Sequence, residues 1–312
     1  MNDKNISSPD LVLELGDKCN NNCIFCSVKN KKNNNLSTYE AKKRICDAKK
    51  RRFRTIQFSG GEPTLRKDII PLVSYAKKLG FESIGLTSNA RLFSYKNFAK
   101  RMIDAGCDSF AISIYSHNTK IHDACTRTPG SFEDTVKGLR NILKLKKKRT
   151  YVKINFLLNK ININSLGGSI SWLNREFKDI NLISLLNMHP VGEAKKHPNL
   201  MFRIGDYGDS IDLSIEKSKI PITLYDMPFC SLKNKKNITD KKGYYDHSAK
   251  NIRSDLRTSL NTLKTKLPFC KYCDFDCECQ GIWKSYVKRY GYDEFTPIIK
   301  NKILPIQNER RI

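Results

Sequence analysis

The sequence has no run of eighteen apolar residues, so no membrane span is expected. Residues 1–8 are polar and lack the apolar stretch of a secretory signal. Acidic side chains are scarce: 31 Asp and Glu stand against 57 Lys and Arg, for a formal net charge of +26. No short repeat of solenoid type recurs along the chain. Without a secretion signal, the eleven cysteines are not expected to pair as disulfides. They point to a reducing compartment, hence the cytoplasm, and to metal ligation.

The basic excess would attract a polyanion such as nucleic acid. Yet Lys and Asn are abundant almost everywhere, and the charge is smeared through residues 42–50, 144–149 and 233–242 with few interleaved aromatics. Compositional bias is therefore the expected cause, and nucleic acid is not an expected partner. A chain of 312 residues buries a large core, enough for one large domain and a small one.

What is present centres on one stretch, Gly16-Asp17-Lys18-Cys19-Asn20-Asn21-Asn22-Cys23-Ile24-Phe25-Cys26. An alternating apolar run over 11–15 precedes it and reads as a strand, the Asn-rich part as a loop. Three thiolates spaced C-x3-C-x2-C on one loop suit three irons of a [4Fe–4S] cube, leaving the fourth iron for a small molecule. A zinc knuckle from Cys19, Cys23, Cys26 and one more ligand is the simpler alternative.

Beyond the loop, strands are expected at 55–58, 83–87, 109–115, 152–158 and 182–186. Helices are expected at 38–50, 71–79, 97–105, 132–145 and 166–177. Ser37 and Glu40 have the spacing of a capping box, and Gly80 and Gly106 stop two of the helices. Strands alternating with helices predict a parallel sheet, a partial (β/α)6 TIM-like barrel of α/β class. Function in such folds collects on loops after the strand C-termini. The cysteine loop, Gly60-Gly61-Glu62-Pro63, Ser88-Asn89 and His189-Pro190 all fall there.

The cysteine spacing, with Phe25 just before the third cysteine, resembles the signature of the radical S-adenosylmethionine (radical SAM) enzymes. Gly60-Gly61-Glu62-Pro63 resembles the GGEP motif of that family, and the resemblance covers roughly the first 195 residues. It implies that Cys19, Cys23 and Cys26 hold a [4Fe–4S] cluster and that SAM binds its open iron. It further implies that Gly60, Gly61, Glu62 and Pro63 hold the SAM amino group and that Ser88, Asn89 and Ser113 contact SAM. Arg127 would meet the SAM carboxylate, which a guanidinium suits bidentately. As plain chemistry, Arg127 is equally a surface arginine before Pro129-Gly130, and Ser88, Asn89 and Ser113 are ordinary strand-end residues. No role is expected for His117, His122, His189, His197 or His247. Cys46 and Cys107 read as packed residues; Cys125, nearer the active face, has the chemistry of a hydrogen-donor thiol.

Composition changes after Gly205, and a domain break is expected there: 1–205 as the core, 206–312 as a small cysteine-rich unit. Cys270-x2-Cys273-x5-Cys279, skipping Cys277, resembles the auxiliary-cluster module called SPASM in its longer form and twitch in its shorter one. Trp283 stands where the longer form continues with a cysteine, so one auxiliary [4Fe–4S] cluster is implied, with Cys230 as the upstream ligand. Cys277 in place of Cys279, and Zn²⁺ in place of the cluster, are the alternatives. Residues 281–287 read as a closing helix.

The expected activity is that of a radical SAM enzyme. SAM would be cleaved reductively to a 5′-deoxyadenosyl radical, which would abstract a hydrogen atom from a substrate. A ribosomally made peptide is the first candidate; a small metabolite such as a cofactor precursor, sugar or nucleoside is the alternative. An electron donor such as flavodoxin or ferredoxin is implied as partner. The rival from another class is a zinc-stabilised nucleic-acid binder, which leaves Gly60-Gly61-Glu62-Pro63 unexplained.

Overall fold

The computed structural model describes residues 10–29, 35–188, 191–232, 262–277 and 279–299. Seven parallel strands form one open sheet in sequence order. They are β1 (Leu11–Glu14), β2 (Thr55–Ser59), β3 (Ser83–Ser88), β4 (Ser109–Ser113), β5 (Tyr151–Leu158), β6 (Leu182–Asn187) and β7 (Ile222–Tyr225). Between them run α1 (Thr38–Lys50), α2 (Ile69–Lys78), α3 (Lys96–Asp104), α4 (Thr119–Thr126), α5 (Ser131–Leu145), α6 (Leu166–Glu176) and α7 (Gly208–Glu216). A short antiparallel pair, β8 (Lys264–Thr265) and β9 (Ile282–Trp283), and helix α8 (Lys284–Tyr290) make up the C-terminal part.

The strands alternate as their sequences alternate. On β2, Ile56 and Phe58 are sealed under the helices while Thr55, Gln57 and Ser59 are only partly covered on the other face. On β5 the alternation holds for eight residues. A parallel sheet buried on both faces would read as continuously apolar; here the concave face is polar. Gln57 lies across Gly85, where a Cβ would fall on its amide, and donates to Thr87 Oγ1 at 3.1 Å. Ser184 and Thr223 share a hydrogen bond of 3.2 Å on the same face.

Ser37 caps α1 and Glu40 returns the bond, the reciprocal arrangement its spacing predicts. Three helices differ from expectation: α4 and α7 were not foreseen, and α2 begins two residues ahead of Pro71. The break was expected at 205/206. It falls inside a 3-10 turn, Ile204–Tyr207, after which α7 leads into β7, which pairs with β6 from Ile183↔Ile222 to Leu186↔Tyr225. The sheet thus takes a seventh strand beyond the six expected. The expected closing helix at 281–287 opens instead as β9, because Ile282 pairs with Thr265 before α8 starts. No helix among the described residues is long and apolar enough to cross a membrane.

Candidate active site

Cysteine-loop residues leave the end of β1 and meet the loops that follow the other strands. Closest is the turn after β2. Gly61 N–H donates to the Gly16 carbonyl and Glu62 N–H to that of Lys18, each at 2.7 Å. A Cβ on Gly60 would fall on the Gly16 carbonyl oxygen, and one on Gly61 on that of Lys18. Gly60 also has φ +123°, so both glycines are required by backbone approach.

Glu62 turns inward from this loop and is 3% exposed. Its Oε1 accepts from Thr64 N–H at 3.1 Å, Thr64 Oγ1 at 2.6 Å and Ser88 Oγ at 2.9 Å. Its Oε2 accepts the Asn89 N–H at 2.7 Å. Burial pushes the carboxyl pKa up, against these hydrogen bonds. Pro63 opens the short turn that Glu62 caps. Oε1 is saturated, whereas Oε2 retains acceptor capacity.

The loop after β3 reaches the first cysteine. Asn89 Nδ2 donates to Asn20 Oδ1 at 2.7 Å and lies 3.8 Å from Cys19 Sγ; Asn21 N–H donates to the same sulfur at 3.3 Å. Arg91, held by Asp134 at 3.0 Å, donates to the Asn20 carbonyl at 2.6 Å. The end of α4 grips the middle of the loop, with Asn22 N–H on the Thr126 carbonyl and Ile24 N–H on that of Cys125, both at 3.0 Å. Arg127 caps α4 in a left-handed conformation, φ +49°. Its Nε donates to the Asn22 carbonyl at 2.7 Å and its Nη2 pairs with Glu193 at 3.1 Å. Glu193, in the loop after β6, donates its N–H to the Cys26 carbonyl at 2.8 Å. The Arg127 and Lys196 side chains hold its carboxyl down to about 2.

Ser113, partly exposed at the end of β4, bonds the Tyr115 side chain, which packs edge-on to Phe25 at 4.9 Å. Burial pushes the Cys19 thiol up to about 11 and Cys23 higher still. Such thiols keep their protons until a bound metal displaces them. Cys125 is fully buried, with its thiol near Asn159 Nδ2 at 3.7 Å and burial pushing it to about 12. His189 and His247 lie outside the described residues.

A second set of cysteines meets at the far end of the sheet. Cys230 sits in the turn Phe229–Ser231 just beyond β7. With Cys270, Cys273 and Cys279 it lines a small apolar pocket, which Cys277, exposed, does not line. Three of the sulfurs each accept a backbone N–H: Cys270 from Leu267 at 3.2 Å, Cys279 from Gly281 at 3.3 Å and Cys273 from Ile298 at 3.4 Å. Among the described residues, no three His, Cys, Asp or Glu side chains close around one metal-ion position. Four cysteines on one pocket are a donor set that either an iron–sulfur cluster or a Zn²⁺ ion can use.

Sequence reasoning passed over Arg91 and Glu193. Both are single charged residues just after strand ends, and position on the active rim is the one signal they carry.

The chain matches the radical SAM superfamily over residues 13–173. A probable GTP 3′,8-cyclase of Saccharolobus solfataricus is 30% identical over 213 residues, covering 68% of this chain and 66% of that protein. Another, of Sulfurisphaera tokodaii, is 27% identical over 191 residues, 61% of this chain and 59% of that protein. The chain thus spans a little less than two thirds of the length of these relatives. Among solved structures, Streptococcus suis SuiB bound to S-adenosylmethionine has a TM-score of 0.61 at 14% identity, over 94% of this chain and 77% of that one. The enzyme anSMEcpe with bound AdoMet has a TM-score of 0.60 at 16% identity, over 91% of this chain and 95% of that one. At such identities these two show the fold, the open parallel barrel found here. The family match runs through more than half of the sequence and contains both the cysteine loop and the Gly-Gly-Glu-Pro turn: this chain belongs to the radical SAM superfamily.

Proposed function

We propose that this enzyme holds its SAM-binding [4Fe–4S] cluster through Cys19, Cys23 and Cys26. The observation that carries this is convergence: loops after β2, β3, β4 and β6 all brace the one loop that bears these cysteines. When bound, cluster and SAM supply a 5′-deoxyadenosyl radical that takes a hydrogen atom from substrate. Gly60 and Gly61 bring backbone close to the loop, and Glu62 offers Oε2 to the SAM ammonium. Pro63 starts the turn that fixes Glu62, while Ser88 and Asn89 orient its carboxylate. Ser113 lies on the concave face beside the site. Arg127 offers Nη1, which makes no hydrogen bond among the described residues, to the SAM carboxylate.

Cys230, Cys270, Cys273 and Cys279 hold one auxiliary [4Fe–4S] cluster in this proposal, supported by the cavity they line and by the N–H groups aimed at their sulfurs. Hydrogen bonds to sulfur are a means of setting cluster potential. We draw the division of the chain after Tyr225, where the sheet ends, so that Cys230 belongs to the cysteine-rich unit.

A peptide is the favoured substrate. Solved structures similar over nine tenths of the chain include SuiB with its precursor peptide SuiA and anSMEcpe with a peptide bound, and this similarity extends through the C-terminal unit. A small metabolite is the second reading, favoured by the relatives named as GTP 3′,8-cyclases. The test is anaerobic 5′-deoxyadenosine release from the reconstituted enzyme with SAM and dithionite. Release is expected from wild type and not from Cys23→Ala; wild-type release from the variant would sink the cluster assignment. Conversion of added GTP to a 3′,8-cyclised product, read by mass, would replace the peptide by the nucleotide.

A further inference from the structure

Glu193 has the surroundings of a residue that acts through another. Its carboxylate is 5% exposed although it lies in a loop. Oε1 is 3.1 Å from Arg127 Nη2 and 3.8 Å from His197 Nε2, and Oε2 is 3.2 Å from Lys196 Nζ. The backbone beneath it is fixed equally closely. Its N–H donates to the Cys26 carbonyl at 2.8 Å. Gly192 just before it has φ +60°, and a Cβ there would fall on that same carbonyl oxygen. Glu193 is therefore anchored to the third cysteine while its side chain holds the arginine that anchors the loop between the first two.

Arg127 needs such a partner. It stands in the left-handed region, which non-glycine residues seldom adopt, and its long side chain has many rotamers to lose. Asn22 is one anchor, taking Nε on its carbonyl at 2.7 Å and Nη2 on its Oδ1 at a long 3.5 Å. The contact to Glu193 is a second point on the same planar fork, and two points fix its orientation.

We infer that Glu193 is a positioning residue for the S-adenosylmethionine site, setting the plane of the Arg127 guanidinium so that its remaining N–H groups face the SAM carboxylate. This rests on the role proposed above for Arg127. It adds an acid from the β6 loop, more than sixty residues away in sequence, that acts through Arg127.

The experiment is a double-mutant cycle on the reconstituted holoenzyme, with SAM affinity measured by equilibrium binding and iron content and cluster spectrum recorded alongside. Glu193→Gln keeps the shape and removes the charge. It should weaken SAM binding about tenfold, with Glu193→Asp recovering part of the loss and iron content unchanged. In an Arg127→Ala background the same change should cost nothing further, because the group it positions is gone. Normal SAM binding by Glu193→Gln, alongside weak binding by Arg127→Ala, would overturn the inference while sparing Arg127. Equal losses with and without Arg127, or loss of iron from Glu193→Gln, would assign Glu193 to loop stability and overturn it as well. Normal binding by Arg127→Ala would remove the role of Arg127 and the inference together.

Discussion

His122 is fully buried, and its surroundings fix its protonation state. Nδ1 accepts the Tyr115 N–H at 3.3 Å, Nε2 has no hydrogen-bond partner, and the ring stacks on Tyr115 at 5.5 Å. Burial lowers its pKa from 6.5 to about 4. The folded state therefore keeps the ring neutral where the unfolded chain already takes up a proton. The linked stability is full above pH 6.5 and is lost as pH falls toward 4. Between pH 7 and pH 5 the loss from this residue should be about 2 kcal/mol. Urea unfolding of wild type and His122→Gln at both pH values tests this; equal drops in the two proteins would show that His122 is not the source. A ring with one nitrogen engaged and the other sealed in the core is not placed to act as a general base.

At the scale of elements, strand β7 decides where the second cysteine set goes. It brings the chain to Cys230 beside the Cys270–Cys279 segment, and Phe229 stacks on Phe275 at 4.9 Å to close the gap. Just after β7, Asp226 in a left-handed turn takes the Lys264 ammonium, which also bonds Gln280 at 2.7 Å and lies over the Trp283 ring at 4.8 Å. The small β8–β9 sheet is thereby tied to the end of the large one. With Cys19, Cys23 and Cys26 all changed to Ala, about four irons per chain should remain, by four-cysteine stoichiometry. Adding Cys279→Ala should disrupt them, and adding Cys277→Ala should not. One zinc and no iron in the triple variant would identify a zinc site instead. These elements were unevenly legible. Strands β1 to β6 announce themselves by alternation, as at 11–15 and 109–115, or by β-branched, aromatic and apolar runs, as at 55–58 and 182–186, set between helical segments. β7 has four residues, Ile222–Tyr225, too few for a period to emerge, and α4 is a short helix ending at an arginine forced into left-handed backbone rather than at a glycine. β7 was missed for its shortness, and α4 was missed although Asn118 caps it locally, accepting the Ile121 N–H at 3.2 Å.

For the molecule as a whole, the formal charge is +26. Many of its cations are answered locally, as in Lys100–Asp104, Arg203–Asp293 and Lys266–Asp276. Among the described residues the exposed aromatics are few, Tyr39, Tyr95, Tyr272 and Tyr292, where single strands would need several for stacked bases. Binding to duplex or single-stranded nucleic acid should therefore be weak and vanish as salt rises. Sub-micromolar binding that persists at physiological salt would reverse this. The core, by contrast, is continuous: Trp283, Tyr286 and Phe295 of the C-terminal part join the same buried cluster as the sheet, and the Tyr286 hydroxyl accepts the Ile204 N–H at 2.7 Å.

The amino-acid sequence by itself determined what depends on near neighbours along the chain. The cysteine spacing, the Gly-Gly-Glu-Pro turn, the capped first helix and the six strand segments between helices are all local, and each was legible without coordinates. The tertiary structure alone decided what depends on distant residues meeting. Arg91, Arg127 and Glu193 reach the cysteine loop from three separate crossovers, and Cys230 reaches its partners from the end of a strand that pairs only because β6 is already in place. Hydrogen bonds and ion pairs act over a few ångströms of space, whatever the sequence separation, so a linear chain carries no mark of which of its many charged residues the sheet will bring to one rim.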